Sequence, residues 1–209
     1  MKLQIAVDVA DTGSIMEMAE KIHDVVDIFE VGTPVIMKEG IRPVKKLKEK
    51  YPGLTVLADS KIVDGGALEC TDLCENGADI VTVLALADDA TIREVVETAH
   101  TYGRLVMADL ICVKNPEKRG QELLDMNVDI LGIHVGVDMQ KEGKTPLGEL
   151  RALKHQFPGA RISVAGGINR HTISSYVEEG PEILIVGKAL YGQEDIRAAA
   201  EEMKGEIER

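Results

Sequence analysis

Short runs of β-branched and aliphatic residues alternate with longer stretches in which apolar positions recur every three or four residues, and no linker interrupts the alternation. The strand-like runs are Leu3 to Val9, Val25 to Val31, Thr55 to Ser60, Ile80 to Leu84, Leu105 to Leu110, Ile130 to Val135, Arg161 to Ala165 and Ile183 to Val186. Helical periodicity covers Ser14 to His23, Arg42 to Lys50, Ala67 to Asn76, Ala90 to Tyr102, Glu117 to Met126, Leu147 to Gln156, His171 to Glu179 and Asp195 to Ile207. Gly77, Gly103 and Gly180 stand where helices must stop in a left-handed conformation, and Ser14 with Glu17 has the spacing of a capping box. Repeated β-then-α units imply parallel strands joined by right-handed crossovers. The pattern therefore predicts an α/β fold, a (β/α)8 TIM barrel occupying residues 1–209 as a single domain. A doubly wound open sheet is the competing architecture, but no Gly-x-Gly-x-x-Gly follows the first strand.

Side chains alternate between the two faces of a strand, so parity predicts which residues share the barrel interior. Ile5, Val7 and Val9 make one face of the first strand, leaving Gln4, Ala6 and Asp8 on the other; Ile28 aligns with Glu30, Leu57 with Asp59 and Lys61, Met107 with Asp109, and Gly132 with His134. The last inward position is polar in each case. Asp8, Glu30, Asp59, Lys61, Asp109 and His134 are thus expected to converge at the C-terminal mouth, where barrel enzymes carry their chemistry. Four carboxylates on one rim repel one another, and a lysine together with a divalent cation would neutralise them. Oxygen-only ligands favour Mg²⁺, or Mn²⁺, over zinc and leave His134 free to carry a proton.

A second cluster comprises Ala165-Gly166-Gly167-Ile168 after the seventh strand and Val186-Gly187-Lys188 after the eighth. These two turns commonly hold a phosphate in barrels, through backbone N–H groups that a Cβ would obstruct, and Lys188 adds a positive charge. Other candidates read as structural. His23, His100 and His155 fall near helix ends and are expected to face solvent, as is His171; Met16 and Met18 belong to an amphipathic helix; Lys45, Lys46, Lys48 and Lys50 read as a solvated helix face.

Composition narrows the partners. With 24 basic and 36 acidic side chains the formal charge is −12, and only 3% of residues are aromatic, so neither a basic patch nor a stacking platform for nucleic acid is supplied. No apolar run reaches the ~20 residues of a membrane span. The first strand begins directly after Met1 and Lys2, leaving no targeting segment, so a cytoplasmic location is expected. Cys70, Cys74 and Cys112 match neither a disulfide framework nor a zinc spacing and are expected to be buried small apolar side chains.

Several segments carry a resemblance: VDIFEVGTPVIMKEG ending the second strand, VLADSKIVDGG with its Asp59-x-Lys61-x-x-Asp64 spacing, ADIVTVLALADDATI, HVGVD at His134 to Asp138, and AGGI at Ala165 to Ile168. Along nearly its whole length the chain resembles the 3-hexulose-6-phosphate synthases of the orotidine 5′-monophosphate decarboxylase suprafamily. The resemblance implies a homodimer in which Glu30 and Asp59 ligate Mg²⁺, Lys61 faces an enediolate, His134 moves the proton, and Asp8 and Asp109 complete the substrate-binding floor. It implies that Asp64 acts across the interface in the second copy's site, and it places Gly166, Gly167 and Gly187 in phosphate-binding turns.

The activity implied is condensation of ribulose 5-phosphate with formaldehyde through a 1,2-enediolate to arabino-hex-3-ulose 6-phosphate, a carbon–carbon lyase reaction in reverse. The family usually has Thr where Val135 stands and an apolar residue where Ser60 stands, and Lys188 occupies a position that is often small in the synthases. The related 3-keto-L-gulonate 6-phosphate decarboxylases, which reach the same enediolate by losing CO₂, are the first alternative, although they typically place a glutamate near Asp109. A non-catalytic sugar-phosphate-binding barrel is the second.

Overall fold

Aliphatic runs flanked by glycine turns pair with their successors in sequence and finally with their beginning. The structure, a computed structural model, describes residues 1–209. Its strands are β1 (Lys2–Val7), β2 (Ile28–Val31), β3 (Thr55–Ile62), β4 (Ile80–Leu84), β5 (Leu105–Asp109), β6 (Ile130–His134), β7 (Ile162–Ala165) and β8 (Ile183–Val186). All pairings are parallel and in chain order, and β8 returns to β1, so the expected (β/α)8 barrel is closed and has no free edge.

Eleven helices surround it: α1 (Thr12–Ile22), α2 (Thr33–Glu39), α3 (Arg42–Lys50), α4 (Gly66–Glu75), α5 (Asp89–Thr101), α6 (Pro116–Asp125), α7 (Val137–Lys141), α8 (Leu147–Gln156), α9 (Ile173–Val177), α10 (Lys188–Tyr191) and α11 (Ile196–Ile207). Sequence periodicity predicts eight of them and misses α2, α7 and α10. The first helix is capped one turn earlier than expected, because Asp11 rather than Ser14 occupies the N-cap and accepts from Ser14 N at 2.8 Å. Gly77, Gly103 and Gly180 do adopt the left-handed conformation, and Asn127 fills the equivalent place after α6.

Register fixes the interior in layers. Gln4, Leu57, Met107 and Ser163 stand opposite Ile28, Ile80, Ile130 and Ile183, so four odd-strand residues stack on four even-strand isoleucines. Glu30, Thr82, Gly132 and Ile185 occupy the next even-strand positions; Ala6, Asp59, Asp109 and Ala165 follow on the odd strands. Polarity therefore rises toward the C-terminal mouth, while the outward faces of the strands pack with the helices in a much larger apolar core.

The opposite end repeats one clasp. Each interior isoleucine follows an acid: Asp27, Asp79, Asp129 and Glu182. Their backbone N–H groups donate to Leu3, Val56, Val106 and Ile162 carbonyls. The three aspartates also accept the N–H of Leu3, Val56 and Val106 at 2.7 to 2.9 Å. Each acid has a basic partner: Lys204 on Asp27, Lys48 and Arg104 on Asp79, His100 on Asp129 and Arg161 on Glu182. His100 is exposed as expected, 2.9 Å from Asp129 Oδ2, but Lys48, expected to face water, instead neutralises a carboxylate that seals a strand start, and its Nζ also donates to the Pro52 and Leu54 carbonyls. Similarly, His23 stacks on Tyr51 at 4.3 Å. Cys70 and Cys74 are buried as expected; Cys112 is exposed, in the turn leaving β5.

Candidate active site

Strand β3 is the first element to set the geometry. Its pairing with β4 shifts register between Ala58 and Ile62, and within that bulge Lys61 has φ +50°, a left-handed backbone that costs an ordinary residue about 1–2 kcal/mol. Thr82 on β4 holds the distortion: its Oγ1 accepts from Lys61 N at 2.9 Å and donates to Asp59 Oδ1 at 2.9 Å, while Ser60 Oγ donates to the Thr82 carbonyl. The bulge lets Lys61 Nζ turn back over the barrel and pair with Asp59 Oδ2, with Asp109 Oδ2 3.5 Å away and Thr33 Oγ1 at 3.3 Å. Thr33, the first residue of α2, also lies 2.9 Å from Asp59 Oδ2.

Asp109, the last residue of β5, joins the ammonium to the imidazole. Its Oδ1 accepts Ile111 N at 2.9 Å, and its Oδ2 lies 3.0 Å from His134 Nδ1 at the end of β6. Burial would push the Asp109 carboxyl up, but the His134 hydrogen bond and the charges of His134 and Lys61 outweigh it and hold it below the usual range. An ionised Asp109 can only accept, so the proton of a neutral His134 sits on Nδ1 and Nε2 keeps its lone pair. Asp109 thus orients the imidazole as well as bordering the site.

Asp8 follows β1 and sits so close to the turn after β2 that a Cβ on Gly32 would fall 2.1 Å from its Oδ1. Glycine is required there by approach, not by φ. Burial and the neighbouring Asp59 raise the Asp8 carboxyl. Glu30 is deeper: burial and then Asp59 push it well above an ordinary glutamate. Lys61 shows the converse balance, since burial opposes its charge but Asp59 and Asp109 prevail and raise it.

These six residues converge, five as parity predicted and Lys61 through the β3 bulge. Glu30 and Asp59 are the oxygen donors that could hold a hard divalent cation. No three His, Cys, Asp or Glu side chains come together as metal ligands, so an ion held by these two would need water and substrate oxygens to complete its shell. The oxygen donors and the raised Glu30 carboxyl beside Asp59 fit such an ion. Asp64 lies apart: it is exposed and its Oδ1 accepts only Gly65 N.

At the opposite side of the mouth, Gly166 and Gly167 have φ +124° and +71°. A Cβ on Gly166 would meet the Val135 carbonyl oxygen at 2.7 Å. The N–H groups of Gly166, Gly167, Ile168 and Gly187 have no acceptor within the chain, a set of donors suited to an anion. Lys188 stands beside them, at the start of α10. Parity placed Gln4 on the inward face without giving it a role, and it marked neither Thr82, which acts across two strands, nor Thr33, which reaches Asp59 from α2.

A closed barrel with an acid–base pair, an ammonium group and unpaired backbone donors at one mouth defines an enzyme of the (β/α)8 class. Residues 1–203 match the orotidine 5′-phosphate decarboxylase / HUMPS family. A 3-hexulose-6-phosphate synthase of Staphylococcus epidermidis is 40% identical over 208 residues, covering 100% of this chain and 99% of the relative. The crystal structure of 3-hexulose-6-phosphate synthase from Salmonella typhimurium superposes with a TM-score of 0.96 at 40% identity, over 99% of this chain and 98% of that one. The 3-keto-L-gulonate-6-phosphate decarboxylase of Vibrio cholerae gives a TM-score of 0.84 at 28% identity, over 100% of this chain and 97% of that one. The chain belongs to the orotidine 5′-phosphate decarboxylase / HUMPS family.

Proposed function

We propose that the protein is a carbon–carbon lyase that joins ribulose 5-phosphate to formaldehyde, giving arabino-hex-3-ulose 6-phosphate, and runs the reverse cleavage. The observation that carries this reading is the His134–Asp109–Lys61 chain, which sets a base with a fixed tautomer beside a half-buried ammonium group. The backbone donors of Gly166, Gly167, Ile168 and Gly187, with Lys188, take the phosphate. His134 Nε2 removes a C1 proton while Asp109 stabilises the imidazolium. The Lys61 ammonium faces the negative charge that develops on the ketose oxygens, and C1 then attacks the formaldehyde carbon. The proton on His134 passes to the oxygen of the new hydroxymethyl group, which balances the step. When bound by Glu30 and Asp59, Mg²⁺ would supply Lewis-acid charge at the ketose oxygens.

A homodimer is part of the reading. Val9, Met37, Val63, Leu68, Leu86 and Val137 are large apolar residues, 56 to 84% exposed, and all lie in segments that follow strand C-termini. Covering that rim with a second copy would bury them and bring Asp64 toward the second copy's site.

A substrate panel with product analysis tests the reading. Consumption of ribulose 5-phosphate that requires formaldehyde and is abolished by chelator is expected. Release of CO₂ from 3-keto-L-gulonate 6-phosphate with formaldehyde inert would replace the synthase by the decarboxylase, the reading favoured by the Vibrio cholerae likeness. Binding without turnover of either substrate would leave a non-catalytic barrel.

A further inference from the structure

Gln4 has no exposed surface and lies in the barrel layer it shares with Leu57, Met107 and Ser163. Leu57 and Met107 fill that layer with apolar groups, so packing does not call for a primary amide there. Gln4 Nε2 donates to Glu30 Oε2 at 2.5 Å, and Gln4 Oε1 is enclosed with no partner. The amide is thus retained for one bond and leaves its own acceptor unsatisfied. That bond is the only one made by the Glu30 carboxylate. Glu30 Oε1 has no partner and is not enclosed, so it is the oxygen open to the cavity.

We propose that Gln4 is a positioning residue that fixes the Glu30 carboxylate so that Oε1, and not Oε2, is presented to a divalent cation. The inference rests on the reading of Glu30 as a ligand for that cation. A neutral amide suits this role because it donates to one oxygen without adding a positive charge that would compete with the ion. Partners that orient a ligating carboxylate typically change metal affinity 10- to 100-fold.

The experiment titrates the full-length wild-type protein and Gln4→Met with Mn²⁺ alone, reading free Mn²⁺ by electron paramagnetic resonance. The substitution keeps the volume and removes the donor. A dissociation constant raised about 10- to 100-fold, with unchanged circular dichroism, is expected. Equal affinity in the two proteins overturns the proposal and leaves the cation reading of Glu30 in place. Failure of wild type to bind Mn²⁺ removes that reading and the role of Gln4 with it. If Gln4→Met does not fold, the wild-type protein labelled with ¹⁵N-glutamine gives the answer: the Gln4 side-chain amide resonance should move in step with Mg²⁺ saturation, and a stationary resonance overturns the proposal.

Discussion

Asp109 Oδ2 lies 3.0 Å from His134 Nδ1 and 3.5 Å from Lys61 Nζ, so a single carboxylate oxygen aligns the imidazole and the ammonium group of the site. Asp109→Asn keeps the size and removes the charge that fixes the imidazole tautomer. We expect kcat to fall by about 10²- to 10⁴-fold, the usual worth of a positioned base, with KM changed far less. Steady-state kinetics with ribulose 5-phosphate and formaldehyde check this, and a wild-type kcat would separate Asp109 from the function of His134.

Lys61 is held in a strained backbone, and bringing its ammonium group over the site compensates for that cost. Lys61→Ala should lower kcat by at least about 10²-fold, in line with the loss of one preorganised group facing developing negative charge. The barrel should remain folded, as read by circular dichroism and gel filtration. Turnover within a few-fold of wild type would remove Lys61 from the chemistry.

At the other end of the barrel, Asp79 seals the start of β3 through Val56 N and pairs with Lys48 and Arg104. Asp79→Ala should destabilise the fold by about 1–3 kcal/mol, because it leaves a donor and two cations without their acceptor. Urea denaturation measures the loss, and kcat of the folded variant should match wild type. An effect on kcat with no change in stability would contradict the separation of the two ends.

The Arg161–Glu182 pair gives the pH dependence. Arg161 grips both carboxylate oxygens, with contacts of 2.8 to 3.0 Å, and this hydrogen bonding holds the Glu182 carboxyl below its ordinary value of 4.5. A lowered folded value means that its stabilisation is complete above the ordinary value and is lost as pH falls through the folded one. Arg161→Gln should therefore be less stable than wild type at neutral pH, and the gap should narrow as pH falls below the ordinary glutamate value. Denaturation midpoints across pH test the sign; a gap that widens in acid would refute it.

Much of this is legible in the chain because a closed parallel barrel repeats two simple periods. Ile80 to Leu84 and Ile183 to Val186 are bounded to the residue, and inward parity brings Asp8, Glu30, Asp59, Asp109 and His134 to one mouth. The helices α2, α7 and α10 are short and each starts behind a glycine that reads as a turn, at Gly32, Gly136 and Gly187, which is why they escape, whereas the equally short α9 lies within a longer periodic stretch. The first strand ends at Val7, not Val9, which is 73% exposed. Lys61 keeps its inward place only through a bulge that parity does not describe, and Thr33 from α2 and Thr82 from β4 act through bonds to β3 that no local pattern reveals. Lys48 escapes for the same reason: its helix face looks solvated until the fold brings Asp79, just before β4, against it.

The central claim is that His134 takes a proton from C1 of a ketose phosphate, and it is read most directly by incubating the protein with ribulose 5-phosphate and Mg²⁺ in D₂O, without formaldehyde, and following C1 by proton NMR. Wild type should replace one C1 proton by deuterium, and His134→Ala should suppress the exchange by at least about 10²-fold. No exchange with wild type, or equal exchange with His134→Ala, would contradict it.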